Sequence, residues 1–340
     1  MLDLKELIKL PEYKWLEEYK DRLCFITLGG SHAYGTNIES SDIDIRGVML
    51  PTKEELIGLK SFEQRIDEDT DTVIYSFNKF IRLIMDCNPN TIELLGCREY
   101  LIFNEVGKQL IDNINMFLSK KCIYTFGGYA IAQLRRAENA IYHNDYPIEE
   151  SLKHVKETID FVISKLKVSN EITSEDLIEI EATEKDLLMT IDIKNKPLAK
   201  VRAVINDLLQ VEHSYNRLNS RNKKKGINKL DKHIMHLIRL YLTVFDILEK
   251  QEVHTYREYD KDFLLEVRKG KFIKDNKFTD DFHPFLKTLQ DRLDQDKLTT
   301  TLPNEPNYKE IEKFVVDVNT KVITDTVIKY KEPIKWVNLY

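Results

Sequence analysis

Phe25-Ile26-Thr27-Leu28-Gly29-Gly30-Ser31-His32 is followed, after a short spacer, by Ser41-Asp42-Ile43-Asp44-Ile45-Arg46-Gly47. An apolar strand pattern runs into a glycine–serine turn, and a second strand pattern carries Asp-Ile-Asp. Side chains alternate across a strand, so Asp42 and Asp44 are expected on one face and Ile43 and Ile45 on the other. Two residues of strand rise would set the carboxylates about 6–7 Å apart, close enough to lean together around one or two cations. Unrelieved, two like charges at that distance repel by roughly 2–3 kcal/mol at an effective dielectric near 20. The flanking isoleucines imply one buried face, which limits relief by solvent. A divalent cation reverses the sign of the interaction, and hard carboxylate oxygens are what Mg²⁺ prefers.

An isolated Asp-x-Asp also occurs on solvated edge strands, and short motifs of this kind are ambiguous alone. The Gly-Gly-Ser upstream makes this one specific. Glycines after a strand let the backbone approach a ligand closely, and free N–H groups with a serine hydroxyl can hold phosphate oxygens. Phosphoryl chemistry also calls for a further carboxylate to complete the ligands and position the attacking hydroxyl. The next strand pattern, Asp71-Thr72-Val73-Ile74-Tyr75, offers Asp71 at its start, with Asp69 as a nearby rival. Both acids lie in the run DEDTD, which also reads as a solvated loop.

These features in this order resemble the DNA polymerase beta superfamily of nucleotidyltransferases. More narrowly, GGSHAYGTNIESSDIDIRGV resembles its RNA-ligase-associated branch, the RlaP family, as do NPNTIELL, the helix DKHIMHLIRL and DFLLEVRKGKF. The resemblance implies that Gly30 and Ser31 handle nucleotide phosphates, and that Asp42 and Asp44 are metal ligands with Asp71 as the third acid. Two Mg²⁺ ions are expected, with Mn²⁺ as an alternative. His32, Tyr34 and Arg46 belong to the motif without needing a chemical role; Arg46 is a candidate to pair with an acid.

Further along, Asn228 to Lys250 reads as one long helix. Ile234, Leu237, Ile238, Tyr241, Leu242, Phe245 and Leu248 cover its broad apolar face. Lys232, His236 and Arg239 fall at i, i+4 and i+7 in a narrow opposite stripe. Such a stripe needs an anion: either a nucleotide triphosphate, held by these three residues, or acids from a neighbouring helix. The related branch carries a similar Lys-His-x-x-His-x-x-Arg helix. Arg221-Asn222-Lys223-Lys224-Lys225 is the densest basic cluster. It is either a solvated loop or, through Arg221, Lys223, Lys224 and Lys225, a grip on a polynucleotide acceptor. Arg268, Lys269 and Lys271 form a weaker second cluster.

The chain has 340 residues and a net charge of −6, which argues against a wholly basic nucleic-acid coat and for two domains or one with a large extension. Strand-like segments fill the first part, and helical patterns dominate from YAIAQLRRAENAIYH onward. The expected fold class is α+β: an N-terminal nucleotidyltransferase domain (1–120) with a mixed sheet flanked by helices, then an α-helical domain (121–340) completing the nucleotide and acceptor site. The acidic stretch SNEITSEDLIEIEATEKD reads as an exposed excursion. Cys24, Cys87, Cys97 and Cys122 show no zinc-type spacing and are expected reduced in a cytoplasmic interior. No run is apolar enough to span a bilayer. The N-terminus reads as an amphipathic helix, without the apolar block of a secretory signal.

The expected activity is transfer of a nucleoside monophosphate from an NTP to an acceptor hydroxyl, releasing pyrophosphate. The family resemblance suggests an RNA 3′ end, in RNA repair or tRNA processing. A small-molecule or protein hydroxyl, or a non-catalytic nucleotide- or RNA-binding role, are the alternatives. Oligomeric state, nucleotide choice and acceptor identity are not legible in the sequence.

Overall fold

The computed structural model describes residues 4–142, 159–160, 163, 166, 176–182, 187–202, 204–209, 212, 230–275 and 277–337. A short helix α1 (Leu4–Leu7) and a 3₁₀ turn (Pro11–Tyr19) precede strand β1 (Leu23–Leu28). Helix α2 (Gly30–Tyr34), β2 (Ile45–Met49), α3 (Lys53–Ile57), β3 (Gln64–Asp67) and β4 (Thr72–Ser76) follow. Next come α4 (Phe77–Met85), α5 (Pro89–Ile92), β5 (Glu99–Asn104), α6 (Glu105–Asp112) and α7 (Lys121–Tyr142). A hairpin of β6 (Leu177–Ala182) and β7 (Leu187–Asp192) stands where the exposed excursion was expected. The chain continues with α8 (Leu230–Lys250), α9 (Lys261–Arg268) and the two-residue strands β8 (Ile273–Lys274) and β9 (Lys277–Phe278). It then forms α10 (Phe282–Thr299), α11 (Tyr308–Ile323) and β10 (Lys329–Val337).

The main sheet has six strands in the order β10-β5-β1-β2-β4-β3. It is mixed, as expected: β2 and β4 pair in parallel and the other neighbours are antiparallel. β1 is central and apolar, and Phe25 and Ile26 are fully buried. Tyr13 and Leu16 of the N-terminal turn close one face with Leu101 and Phe103 of β5.

Several elements differ from the sequence reading for local reasons. NKFIRLIMDCNPNTIELL has a helical period throughout, but Cys87 takes a positive φ of 48° and Pro89 opens a new helix. Proline disfavours helical geometry at the residue before it and lacks the N–H that would continue the ladder. β10 was not foreseen. Its KYKEPIKWV segment forms an edge strand, where a proline costs no central ladder bond, and Trp336 lies 5.4 Å from Tyr100 between ring centroids. All four cysteines are buried and free, in line with their expected reduced state.

The described residues group into two compact units, 1–135 with 231–340, and 136–230. The sequence-based division at residue 120 assigns 231–340 to a separate helical domain. In the structure those residues join the unit that holds the sheet, because β10 extends the sheet and α8 carries side chains that pair with it. No helix among the described residues is long and apolar enough to cross a membrane.

Asn104 ties three of these elements together. Its Nδ2 donates to the Leu23 carbonyl at 2.8 Å, and its Oδ1 accepts from the Gly107 N–H at 3.1 Å, capping α6. Asn104→Ala leaves both buried backbone groups unpaired and should cost about 2–4 kcal/mol in urea unfolding. Asn104→Ser keeps a cap acceptor for α6 without burying a charge and should cost less; equal losses in the two variants would show that packing, not hydrogen bonding, sets the effect.

Candidate active site

The site is built where β1 ends and where β2 and β4 begin. Leu28 pairs with Ile45, and the Gly29 N–H donates to the Asp44 carbonyl at 2.8 Å. The chain then turns into α2, which removes the partner that Asp42 and Ile43 would need to stay in the ladder. The strand therefore starts at Ile45, and Asp42, Ile43 and Asp44 lie just before it, not within it as the sequence reading had it. The alternation survives in part: Ile43 and Ile45 pack on the core. Asp42 is exposed.

On the neighbouring parallel strand Ile45 pairs with Thr72, so the residues preceding each partner, Asp44 and Asp71, come together. Asp71 takes φ = 44°, an uncommon conformation that Asp tolerates better than most residues. The two carboxylates share a hydrogen bond. Burial first, and then that bond, push the Asp44 carboxyl up to about 6. Asp71, by contrast, is held below the usual carboxylate range by the bond to Asp44, with help from Arg46. Below about pH 6 the proton of the pair sits on the more buried Asp44, while the exposed Asp71 is ionised. Asp69 is exposed, and its N–H turns back to Asp67, so Asp71 is the acid that joins the site.

Gly30 is what lets the turn meet these acids. It sits at φ = 55°, and a Cβ there would fall 1.9 Å from Asp44 Oδ2. Any side chain would collide with the carboxylate, so the backbone of the glycine–serine turn lies directly against Asp44. Ser31 follows in the first turn of α2 and is nearly buried. Gly29, Gly30, Asp44, Arg46, Tyr75 and Glu93 line a cavity of about 280 Å³.

Arg46 pairs with both acids, at 3.3 Å to Asp44 and 3.0 Å to Asp71. The expected grouping of Asp42, Asp44 and Asp71 is thus reduced to Asp44 and Asp71. Among the described residues no three His, Cys, Asp or Glu side chains converge to hold a metal ion. The pair nevertheless fits Mg²⁺, which is usually held by one or two carboxylates with substrate phosphates and water completing its shell.

The basic stripe of α8 arrives from the other side and splits into three environments. Lys232 is exposed, and its positive charge acts on both Asp44 and Asp71. His236 lies edge-on to Tyr34 at 6.2 Å between ring centroids. Burial, and then the positive charges of Arg239, Lys232, His233 and Arg268, drive its pKa well below the ordinary value, so it is a neutral imidazole. Arg239 is 5% exposed and pairs with Glu93, with its guanidinium 3.8 Å from the Tyr34 ring centroid. For Arg239 the acid from a neighbouring helical segment is the anion present, not an open phosphate seat.

Two residues of this network escaped the sequence reading. Glu93 accepts from Tyr34 Oη at 3.2 Å as well as from Arg239, and its carbonyl accepts from Thr255 Oγ1. It lies inside the quoted NPNTIELL segment, where an acid in an apolar run was the available signal. Arg268, read as a possible backbone grip, instead donates to the Thr36 carbonyl at 2.5 Å and to Ser41 Oγ at 3.5 Å. It clamps the spacer between the glycine–serine turn and Asp42. Arg221, Lys223, Lys224 and Lys225 lie outside the described residues.

A mixed sheet with a glycine–serine turn facing paired aspartates is the arrangement that the sequence resemblance led us to expect. Residues 7–155 match the family model RlaP, described as RNA repair pathway DNA polymerase beta family. That match supports the resemblance to the RlaP branch over this segment. The chain is also 23% identical over 304 residues to an uncharacterized 38.9 kDa protein of the nrdC-mobD intergenic region of Enterobacteria phage T4. The alignment covers 78% of this chain and 84% of the phage protein. No solved structure matches.

Two outcomes follow from this geometry. Lys232→Ala should leave the fold intact and weaken NTP binding by about 1.5–3 kcal/mol, the range for hydrogen bonds to charged groups. Arg239→Ala strands Glu93 as a buried charge and should cost about 3–5 kcal/mol of stability. Calorimetric titration and urea unfolding of both variants test this; a stable Arg239→Ala with lost NTP affinity would reverse the two roles. The second concerns pH. Asp44 is raised from an unfolded value of about 3.9 to about 6, so the folded state binds the extra proton between those values. Its contribution is therefore full below about pH 4 and lost as pH rises through about 6. Without metal, Asp44→Asn should flatten that part of the stability–pH curve and be at least as stable as the parent at pH 7. A clear fall in its metal-free melting temperature would show Asp44 to be a structural anchor.

Proposed function

We propose that this protein is a metal-dependent nucleotidyltransferase that moves a nucleoside monophosphate from an NTP to an acceptor hydroxyl, with an RNA 3′ end as the acceptor. The carrying observation is that Asp44 lies directly against Gly30 of the glycine–serine turn, with Asp71 brought beside Asp44 by the β2–β4 register and joined to it through Arg46. The family match supports the transferase class and the RNA-repair setting.

In this reading the acceptor oxygen forms a bond to the α-phosphorus while the bond to the pyrophosphate oxygen breaks. The backbone N–H groups near Gly30 and the Ser31 hydroxyl hold phosphate oxygens. Lys232 offsets the triphosphate charge from the opposite side. Asp71, ionised and 59% exposed at its side chain, accepts a hydrogen bond from the incoming hydroxyl and takes its proton. Asp44 and Asp71, with the exposed Asp42 as a further oxygen donor once substrate is present, would hold Mg²⁺. When bound, the ion supplies Lewis-acid polarisation of the phosphoryl oxygens and neutralises the leaving pyrophosphate. The Arg221 and Lys223–Lys225 cluster is the proposed contact to the RNA backbone.

Incubating the protein with each α-labelled NTP, Mg²⁺ and a panel of RNA, protein and small hydroxylated acceptors tests the reading. The expected result is labelled RNA one nucleotide longer, with Asp44→Asn and Asp71→Asn reducing transfer at least about a thousandfold. Transfer to a protein or small molecule would remove RNA as acceptor and keep the transferase. Unreduced transfer in both variants would remove the site.

A further inference from the structure

The guanidinium of Arg46 is divided between two tasks. Nη1 donates to the backbone carbonyls of Ile45, at 3.0 Å, and Asp71. Nη2 donates to Asp44 Oδ1 at 3.3 Å and to Asp71 Oδ1 at 3.0 Å. One arm is thus anchored on main chain, while the other is a point of positive charge between the two carboxylates. The remaining Asp44 oxygen has little freedom, since Oδ2 lies against Gly30, only 1.9 Å from where a Cβ would be. A cation bridging Asp44 and Asp71 therefore needs Asp44 Oδ1, the oxygen that Nη2 already engages.

We propose that the Nη2 arm of Arg46 is a built-in counter-cation standing at the bridging position between Asp44 and Asp71, so that a divalent ion binds this pair only by displacing it. The proposal rests on the reading above that these two acids hold the metal. It gives the metal-free protein a way to keep two carboxylates in contact without their full repulsion. It also makes Arg46 a competitor for the site. Lys232 cannot fill this role in the same way, because it is exposed and makes no hydrogen bond to either acid.

Mn²⁺ binding to the full chain without nucleotide, followed by electron paramagnetic resonance, tests the competition. Arg46→Met should bind Mn²⁺ about five- to tenfold more tightly than the parent, the scale of one or two partly exposed ion pairs. Its metal-free melting temperature should fall, and saturating Mn²⁺ should restore it. Arg46→Lys keeps the charge but not the fork, and should lie between parent and Arg46→Met. Asp44→Asn, as the site control, should lose the binding. Should Arg46→Met not fold, the parent still decides the matter. With ¹⁵N-labelled arginine, the Arg46 side-chain signal, assigned by its loss in Arg46→Lys, should shift on Mg²⁺ saturation.

Equal or weaker Mn²⁺ binding in Arg46→Met, or an unmoved Arg46 signal in saturating Mg²⁺, overturns the proposal. So does an absence of Mn²⁺ binding in parent and variants alike. The readouts need no nucleotide, so they are separable from the activity test. Active transferase with unchanged Arg46→Met affinity sinks only the counter-cation, whereas displacement by metal without any nucleotide transfer sinks only the transferase.

Discussion

β2 and β4 lie side by side and run in the same direction, with Ile45 opposite Thr72 at the head of the ladder. In a parallel pair the residues just before the first rung start from the same end of the sheet, so Asp44 and Asp71 are forced into one another's company. Nothing in their own chemistry favours this, since two carboxylates in contact repel. The sheet imposes the approach, and the local answers to it are all visible. The Asp44 carboxyl holds its proton up to about pH 6, a guanidinium is set between the acids, and the charge of a lysine on α8 acts on both. Gly30 completes the set by letting main chain pass where any side chain would strike the Asp44 carboxylate.

The sequence made the parts of this arrangement legible that depend on neighbours in the chain. The glycine–serine turn after an apolar strand, the strand alternation that sends Ile43 inward, and the acid at the head of the DTVIYS run were all readable. The point where β2 begins was not, because it is set by where β1 leaves the sheet after Leu28 and where β4 enters at Thr72. Those are tertiary facts, and they move Asp42 out of the ladder and into solvent. Glu93 was illegible for a related reason. An acid among Ile92, Leu94 and Leu95 reads as the polar edge of a helix until its partners, Tyr34 and Arg239, are seen to come from distant parts of the chain. The C-terminal strand β10 was hidden by its own composition, since lysines and a proline suit an edge strand but weaken its signal.

Lys232, His236 and Arg239 illustrate how depth changes the meaning of a charge. Helical spacing places them in one stripe, and a stripe of basic residues invites one explanation for all three. The structure separates them by burial. The exposed lysine keeps its charge available to the carboxylates. The histidine, surrounded by burial and other cations, sheds its proton and becomes a neutral ring against Tyr34. The arginine, deepest of the three, cannot shed its proton and so must find a permanent counter-charge, which Glu93 provides. One helix face therefore combines an exposed end with a buried, structural end, and the difference is desolvation.

That structural end makes α8 part of the site-forming unit, although it lies far along the chain. Glu93 is held by Arg239, Tyr34 by Glu93, and Tyr34 closes the helix that carries Gly30 and Ser31. A displacement of α8 would thus be transmitted to the glycine–serine turn through two hydrogen bonds and a stacked guanidinium. The family match ends at residue 155, before any of the α8 residues or the Arg268 clamp. The segment that identifies the superfamily is therefore not the whole of the site-forming unit. The grouping of residues 231–340 with 1–135 agrees with these links, in which Arg239 holds Glu93 and Tyr34 and Arg268 holds Thr36 and Ser41.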